Sequence, residues 1–563
     1  MSPELVECHR SELPRTVNSE ISQSSWLNYG LATAIYLLAM VLTRPVFLSD
    51  TMYYLWTANP STTNFLDFGH LFWRPLIWVL LHQLNETTPA ERFLHAFHIL
   101  DFSSMVAGLI ALWVMIATLR LFTRSHVVTS ACATLLSFSQ VMLTYSKGGC
   151  AYIFGFLALS AGFYILMSTT KKERPSFCDA LLSGVFLGLA ICLWFPYVLA
   201  VPGVLLAPAL YSEPGQKQSR LVLVTGLACV VLVSMSYGFV AIHLHIHDVR
   251  NFATWASTAS HGITISGAKR MIFGFARSFI SLGENGSRAV LFKRFVLHDP
   301  YNPVHLWQIA GLTLWKIFFF YVFLATALVA LARSPGGYKA LLILLATALP
   351  VLGFACLWQG SDLERYFPLL PVLMLALGLA LSNVKFDSIT GFVACAFVAA
   401  VVFTNVFSLS ARAREYELRQ QMITLRSLNE LLPSGSLVLL PPMDPLQRVY
   451  WDFPELLPFE EHGLKLQRIL DLNTADTPTW RQRAGSQVTQ HWNRQIPVVI
   501  ESSLLEKQPP AKSYWVEGDD PRVHWRDINN FVSTLEIGNR VGNTDYFFIR
   551  VPMQNLAVVE TRN

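Results

Sequence analysis

Apolar runs of about 15–25 residues, the length a helix needs to cross a bilayer, recur from residue 26 to residue 409. They fall at 26–47, 93–119, 127–145, 150–168, 179–194, 197–211, 220–241, 307–332, 339–357, 366–382 and 389–409. The first follows a polar head and lacks a small-residue cleavage site, so it reads as an anchor and not a cleaved leader. A further segment, 71–84, is short and carries Arg74 and His82. It is expected to lie along the membrane surface or to re-enter it.

Loop charge supports that choice. With 71–84 not crossing, Arg10, Arg15, Arg120, Arg124, Lys171 to Arg174, Lys217, Arg220, Arg333, Lys339 and Lys385 share one side. By the positive-inside rule that side is cytoplasmic. The other side then receives the first outer loop 48–92, the turns at 146–149 and 195–197, the long outer loop 242–306, the 359–365 connection and everything after 410. The expected fold is mainly α: a polytopic membrane protein of about eleven transmembrane helices with a C-terminal exoplasmic α/β domain. Residues 1–25 read as a disordered cytoplasmic head, 26–410 as the membrane domain and 411–563 as the outer domain. In that last part, 412–432 has helical spacing and 436–440, 498–500 and 546–551 are strand-like. It shows no nucleophile elbow, phosphate loop or zinc pattern.

Composition agrees with the pattern. The chain of 563 residues is 53% hydrophobic and 14% charged, with a mean hydropathy of +0.41. The net charge of +5 is spread through loops, which argues against a nucleic-acid partner. Eight cysteines sit mostly in or beside apolar runs, none beyond 395, with neither disulfide nor metal spacing.

The candidate chemistry collects on the outer side. Asp50, Asp67, His70 and Arg74 share one short loop with Tyr53, Tyr54, Trp56 and Trp73. A carboxylate backed by aromatics at a membrane surface suits a general base for a polar acceptor; an interfacial aromatic belt is the alternative. Arg92, His95, His98 and Asp101 recur every third residue at a helix entrance, as one wall of a substrate cavity or as a structural His–Asp pair. Lys147 stands at a helix junction, where it holds a phosphate or snorkels. His243, His245 and His247 form a metal set if extended and an interfacial cluster otherwise. His261, Lys269, Arg270 and Arg277 follow, with 269–277 expected as an amphipathic helix lying in the interface and meeting lipid phosphate or anionic headgroups. In Asp362-Leu-Glu364-Arg365-Tyr366 an arginine can grip a phosphate bidentately and Glu364 can orient it.

Several of these stretches resemble the GT-C membrane glycosyltransferases, a family that includes protein O-mannosyltransferases and lipid A aminoarabinose transferases. Asp50-Thr-Met-Tyr-Tyr54 is similar to the family's Asp-Glu-x-x-Tyr, with Thr51 where the family has Glu. His70-Leu-Phe-Trp-Arg-Pro75-Leu76 is a looser version of its His- or Lys-Pro-Pro-Leu stretch. Arg365-Tyr-Phe-Pro368-Leu-Leu-Pro371 is close to its late Arg-Tyr-x-x-Pro-x-x-Pro. The short helix pair carries Trp194-Phe-Pro-Tyr197 where the family has Lys-Gly.

The resemblance implies a glycosyltransferase, hexosyl or pentosyl, with a polyprenyl-phosphate-linked sugar as donor and a glycan, lipid or protein as acceptor. Transfer would occur outside the membrane, in a bacterial inner membrane by preference, with inversion of configuration. Asp50 is the expected base and Asp67 the fallback. Tyr54, His70, Arg74, His95, His98, Lys147, His261, Lys269, Glu364, Arg365 and Tyr366 are the expected substrate-binding residues. No metal ligand is assigned, and a divalent cation is left open. The competing class is a transporter or flippase for a lipid-linked or polar solute; polar residues gathered on one side, with no inverted hydropathy repeat, weigh against it.

Overall fold

The computed structural model describes residues 15–43, 51, 54, 55, 57–61, 65–84, 89–172, 176–211, 218–258, 267–282, 314–384, 388–409, 424, 427, 428, 430–440, 465–468, 480–507 and 521–550. Among the described residues, seven helices are long and apolar enough to cross a membrane: His95–Arg120, Ala151–Thr169, Ser219–His243, Trp315–Arg333, Gly337–Leu357, Leu363–Ser382 and Ile389–Phe407. Shorter apolar helices, Asn28–Leu42, His126–Phe138, Phe177–Leu193 and Phe195–Tyr211, fall at the four remaining apolar runs. Their outward faces carry large apolar side chains, among them Met235, Phe239, Ile242, Phe392, Phe403 and Phe407. Such continuous exposed apolar surface belongs in lipid, and the chain is an integral membrane protein.

Two elements differ from the expected pattern and one agrees with it. Helix α1 (Arg15–Leu42) begins ten residues before the expected end of a disordered head. Helix α2 (Trp73–Gln83), after the 3-10 turn Phe68–His70, has 11 residues, about 16 Å of rise, too little to span the hydrocarbon core. After α3 (Pro89–Arg120), the run expected over 127–145 breaks into α4 (His126–Phe138) and α5 (Gln140–Tyr145). Ser139 causes the break: its backbone is extended, its hydroxyl donates to Leu136 O at 2.7 Å, and its Oγ caps Met142 N at 3.4 Å.

The membrane part continues as α6 (Ala151–Thr169), α7 (Phe177–Leu193), a 3-10 turn (Phe195–Ala200), α8 (Val201–Tyr211), α9 (Gln218–His243), α10 (Val249–Thr258) and α11 (Gly267–Phe279). Then come α12 (Trp315–Arg333), α13 (Gly337–Leu357), a 3-10 turn (Leu363–Leu369), α14 (Leu370–Ser382) and α15 (Ile389–Leu409). Contacts divide the connections between two ends. At one end Asn28 meets His126 at 2.9 Å, Ser382 meets Thr123 at 2.7 Å, Lys171 stacks on Phe122 and Lys339 on Tyr211. At the other, residues 66–74, 145–152, 192–197, 237–255, 271–277 and 359–366 interlock, as described below.

Asn405 pins this bundle. Its amide donates to Phe138 O (2.6 Å) and Phe279 O (2.7 Å), and its oxygen accepts from Ser281 N (2.6 Å). One buried side chain therefore satisfies the backbone at the ends of both α4 and α11. Asn405→Leu leaves three buried backbone groups unsatisfied, at about 1–3 kcal/mol each. The expected result is a clearly lower thermal midpoint in detergent, while Asn383→Leu at an exposed helix end stays close to wild type.

The C-terminal region forms a five-stranded sheet in the order β2-β1-β3-β5-β4. Its strands are β1 (Leu437–Leu440), β2 (Lys465–Arg468), β3 (Val498–Glu501), β4 (Glu536–Arg540) and β5 (Tyr546–Arg550), with helices α16 (Trp480–Asn493) and α17 (Pro521–Val532). β2, β1 and β3 are parallel, whereas β5 runs antiparallel to β3 and to β4. β1 is buried throughout, as a central strand should be, and explains the unbroken Leu-Val-Leu-Leu. β2 and β4 escape sequence reading because both edge strands are polar: Lys-Leu-Gln-Arg and Glu-Ile-Gly-Asn-Arg. The core of this sheet, with Leu437, Leu439, Ile500, Trp525 and Ile528, is separate from that of the membrane helices. A chain of residues 1–410 is therefore expected to insert and to melt cooperatively in detergent. Failure of that fragment to insert would make the C-terminal region part of the folding unit.

Candidate functional site

The loop that the sequence singles out is built around Asp67. Its backbone is extended (φ −62°, ψ 134°), and its Oδ1 accepts from Gly69 N at 3.2 Å, capping the 3-10 turn. Oδ2 accepts from both His70 Nδ1 and Arg74 Nη1 at 3.0 Å. Arg74 also donates through Nε to Thr57 Oγ1 at 2.8 Å, and its guanidinium lies 4.9 Å from the Tyr54 ring centre. Burial opposes ionisation of Asp67, but the His70 hydrogen bond and the positive groups outweigh it and hold the carboxyl well below the usual range. Burial also keeps His70 from charging, aided by Arg74 and Arg365 and against the pull of Asp67. A neutral His70 that donates Nδ1–H to Asp67 leaves Nε2 as an acceptor.

An aromatic box fixes this loop from behind. Trp255 Nε1 donates to Leu66 O at 2.8 Å, Tyr237 OH to Phe68 O at 2.9 Å, and Phe72 N to Cys192 O at 3.1 Å. Phe68 packs edge-on against Tyr237, Phe252 and Trp255. Residues nearly 190 positions downstream thus hold the turn that aims His70.

From His70 a run of hydroxyls leads inward. Tyr54 OH lies 3.1 Å from His70 Nε2 and 3.3 Å from Tyr152 OH. The Tyr152 ring packs edge-on against Tyr145, which donates to Glu364 Oε2. Glu364 Oε1 and Asp362 Oδ2 each stand 3.5 Å from Arg365 Nη2, which also donates to Gln359 Oε1 at 3.0 Å. The Arg365 guanidinium lies 4.5 Å from the Trp358 ring centre and 5.8 Å from that of Trp194. Arg365 Nε and Trp358 Nε1 are both buried, and among the described residues neither has an acceptor. Burial and the Glu364 charge push the Asp362 carboxyl up, against Arg365, Arg277 and Arg270.

Helix α11 braces this second half. Arg277 Nη1 donates to Ser361 O at 2.9 Å, and Tyr366 OH donates to Gly360 O at 2.5 Å, with Met271 O at 2.9 Å from the same hydroxyl. A Cβ on Gly274 would collide with Gly360 O, so the two backbones touch because both residues are glycine. The helix expected to lie in the interface is instead packed into the bundle, with Arg270, Phe275, Ala276 and Phe279 buried.

The expected site residues thus divide. Tyr54, Asp67, His70 and Arg74 form one connected group, Glu364, Arg365 and Tyr366 a second, and Tyr145 and Tyr152 join them. Lys147 donates to Met40 O and, at 3.0 Å, to Thr43 O, capping the end of α1. His95 and His98 are exposed on α3, while Arg92 and Asp101 at the two ends of their stripe are half-buried. Lys269 is half-buried on α11. Asp50 and His261 lie outside the described residues, as do residues 283–313, the end of the long loop and the start of the next run. Thr51, directly after Asp50, is buried with Oγ1 3.3 Å from Cys150 Sγ. His245 and His247 are exposed with ring centres 6.1 Å apart, and no group of three or more metal-ligating side chains occurs among the described residues.

Tyr145, Tyr152, Trp194 and Trp358 escape sequence reading. Each stands inside or beside an apolar run, where an aromatic reads as packing. The signal available was their common position at the ends of the runs.

No family model matches this chain, and no curated protein matches its sequence. Among solved structures, it aligns over 93% of its length with 97% of ArnT from Cupriavidus metallidurans bound to undecaprenyl phosphate, at 11% identity and a TM-score of 0.48. With the apo state of that ArnT the alignment covers 94% of this chain and 98% of the other, at 14% identity and a TM-score of 0.41.

Proposed function

We propose that this protein is a GT-C-type membrane glycosyltransferase that moves a sugar from a polyprenyl-phosphate donor to an acceptor on the outer side. The observation that carries this reading is the pair of buried, unpartnered donors, Arg365 Nε and Trp358 Nε1. Buried N–H groups are rarely left without acceptors. Set beside a guanidinium at the end where the connections converge, they suit an anion such as a lipid-linked phosphate. The motif resemblance and the crystal structure holding undecaprenyl phosphate are in keeping with that ligand.

In this reading Arg365 holds the donor phosphate and Glu364 and Asp362 orient it. Asp50 removes the proton of the acceptor hydroxyl. The acceptor oxygen attacks the anomeric carbon, the sugar–phosphate bond breaks, and the phosphate leaves with the bonding electrons on the polyprenyl lipid. One base opposite the leaving group makes this a single displacement with inversion. Asp67 serves as a positioning residue: its lone pairs are taken by Gly69, His70 and Arg74, and its lowered pKa makes its carboxylate a weak base. Lys147 acts by fixing the end of α1, next to which Asp50 lies in sequence.

The test is an assay of purified protein with a panel of polyprenyl-phosphate sugars, following release of the lipid phosphate. Turnover of at least one donor is expected. Movement of intact lipid-linked solute across vesicles without cleavage would replace this reading with the transporter.

A further inference from the structure

One polar group stands apart from the two described above. Asp101 lies on α3, one helical turn from Ser104 and two from Gly108, so the three share a face. That face meets α1 and the end of α5. Tyr36 OH donates to Met105 O at 2.9 Å, and a Cβ at Gly108 would collide with Tyr36 Oη and Ser146 Oγ. The charges that reach Asp101 are those of Lys147 and His98. Gly149, at φ +59°, closes the same turn; a Cβ there would lie 2.8 Å from Thr51 Cγ2 and 3.1 Å from Leu100 Cβ. Leu100, the residue before Asp101, therefore lies close to Thr51, the residue that follows Asp50.

Asp101 Oδ1 and Ser104 Oγ are both buried with no hydrogen-bond partner among the described residues, and Ser104 is 0% exposed. A carboxylate oxygen out of water without a donor is costly. Retaining one beside an unpartnered hydroxyl makes sense if donors arrive from outside the chain. Asp101 Oδ1 can accept and Ser104 Oγ can donate or accept, so the place, beside the end of α1, calls for a ligand bearing hydroxyl groups.

We propose that Asp101 and Ser104 form a sugar-hydroxyl subsite: Oδ1 accepts a hydrogen bond from one hydroxyl of the transferred sugar, and Ser104 Oγ pairs with another. This rests on the proposed function and adds the part that distinguishes sugar-carrying lipid from bare lipid phosphate. It assigns the second carboxylate of the site to α3, in a chain that has Thr51 where a second acid would otherwise follow Asp50.

The experiment measures equilibrium binding of two probes, a polyprenyl-phosphate sugar turned over by the wild type and the sugar-free polyprenyl phosphate. The proteins are wild type, Asp101→Asn and Ser104→Ala. Asp101→Asn keeps the shape and removes the charge, so it should weaken the sugar-carrying probe by about 10–100-fold, the worth of one charge-assisted hydrogen bond, and leave the sugar-free probe unchanged. Ser104→Ala should act in the same direction by a smaller factor. Retained preference for the sugar-carrying probe in both variants overturns the subsite alone. Equal loss of both probes, with a lowered melting temperature, overturns it in favour of a structural Asp101–Lys147 pair. Absence of any polyprenyl-phosphate sugar that the wild type binds or turns over removes the proposed function and this subsite with it.

Discussion

Asp50→Asn is expected to lower sugar transfer by about 10²–10⁴-fold, the usual worth of a general base, while donor affinity and melting temperature stay near wild type. The substitution keeps the volume and removes the only property the mechanism needs, a carboxylate that can take a proton. The companion variant Asp67→Asn should behave differently. It removes the partner of a buried guanidinium: Arg74 is 2% exposed and held to Asp67 at 3.0 Å. Breaking a buried pair from one side costs about 3–5 kcal/mol, so Asp67→Asn should first appear as a drop in thermal stability. A pH series separates the two further. A carboxyl whose folded pKa lies below its ordinary 3.8 contributes stability that is fully present above that value and is lost as the pH falls through the folded pKa. Asp67 therefore stays ionised throughout the neutral range and should leave no inflection between pH 5 and 8 in transfer rate or stability. Near-normal turnover in Asp50→Asn with collapse in a folded Asp67→Asn would move the base to Asp67. Normal turnover in both would end the base mechanism.

Arg365→Lys should weaken donor binding by about 10–100-fold, the range for a hydrogen bond to a charged group. Lysine keeps the charge but not the planar fork, and the surroundings of Arg365 use that plane. One nitrogen faces Asp362, Glu364 and Gln359, the flat face stacks on Trp358 at 4.5 Å, and Nε points to no described acceptor. An ammonium can replace one of those contacts at a time. Trp358→Phe, which keeps the ring and removes the second unpartnered N–H, should give a smaller loss in the same direction. The measurement is the affinity of sugar-free polyprenyl phosphate for each variant. Wild-type affinity in Arg365→Lys would mean that the arginine braces the 359–366 turn without touching phosphate.

The two halves of the site differ in how far they could be foreseen. Asp67, His70 and Arg74 are three and four residues apart, and a 3-10 turn followed by a helix brings such neighbours onto one side. Their grouping is therefore local, readable once the loop is singled out. Arg365 is also local to Glu364 and Asp362, and its ion pairs with them follow from that adjacency. The tyrosines that join the halves are not local. Tyr54 meets Tyr152 across 98 residues, and Tyr145 meets Glu364 across 219. No periodicity carries such pairs. The fate of helix α11 was equally hidden: its alternating basic and apolar residues describe an interfacial helix as well as a buried one, and two glycines 86 positions apart, Gly274 and Gly360, decide the matter by letting the backbones touch.

The sequence by itself determined that this is a membrane protein of many apolar helices with a separate sheet-bearing tail. Run length and hydropathy depend on the solvent each segment must meet, and that information is additive along the chain. It also determined that the chemistry gathers at one end, since charged residues are excluded from the runs and must collect between them. Tertiary structure alone decided which polar groups are satisfied and which are left open. Asp67 is saturated by Gly69, His70 and Arg74, and Lys147 is spent on the end of α1, while Arg365 Nε, Trp358 Nε1, Asp101 Oδ1 and Ser104 Oγ remain without described partners. The physical reason is that residue type limits how many hydrogen bonds a side chain can make, whereas only packing of distant helices determines how many of them the protein itself uses.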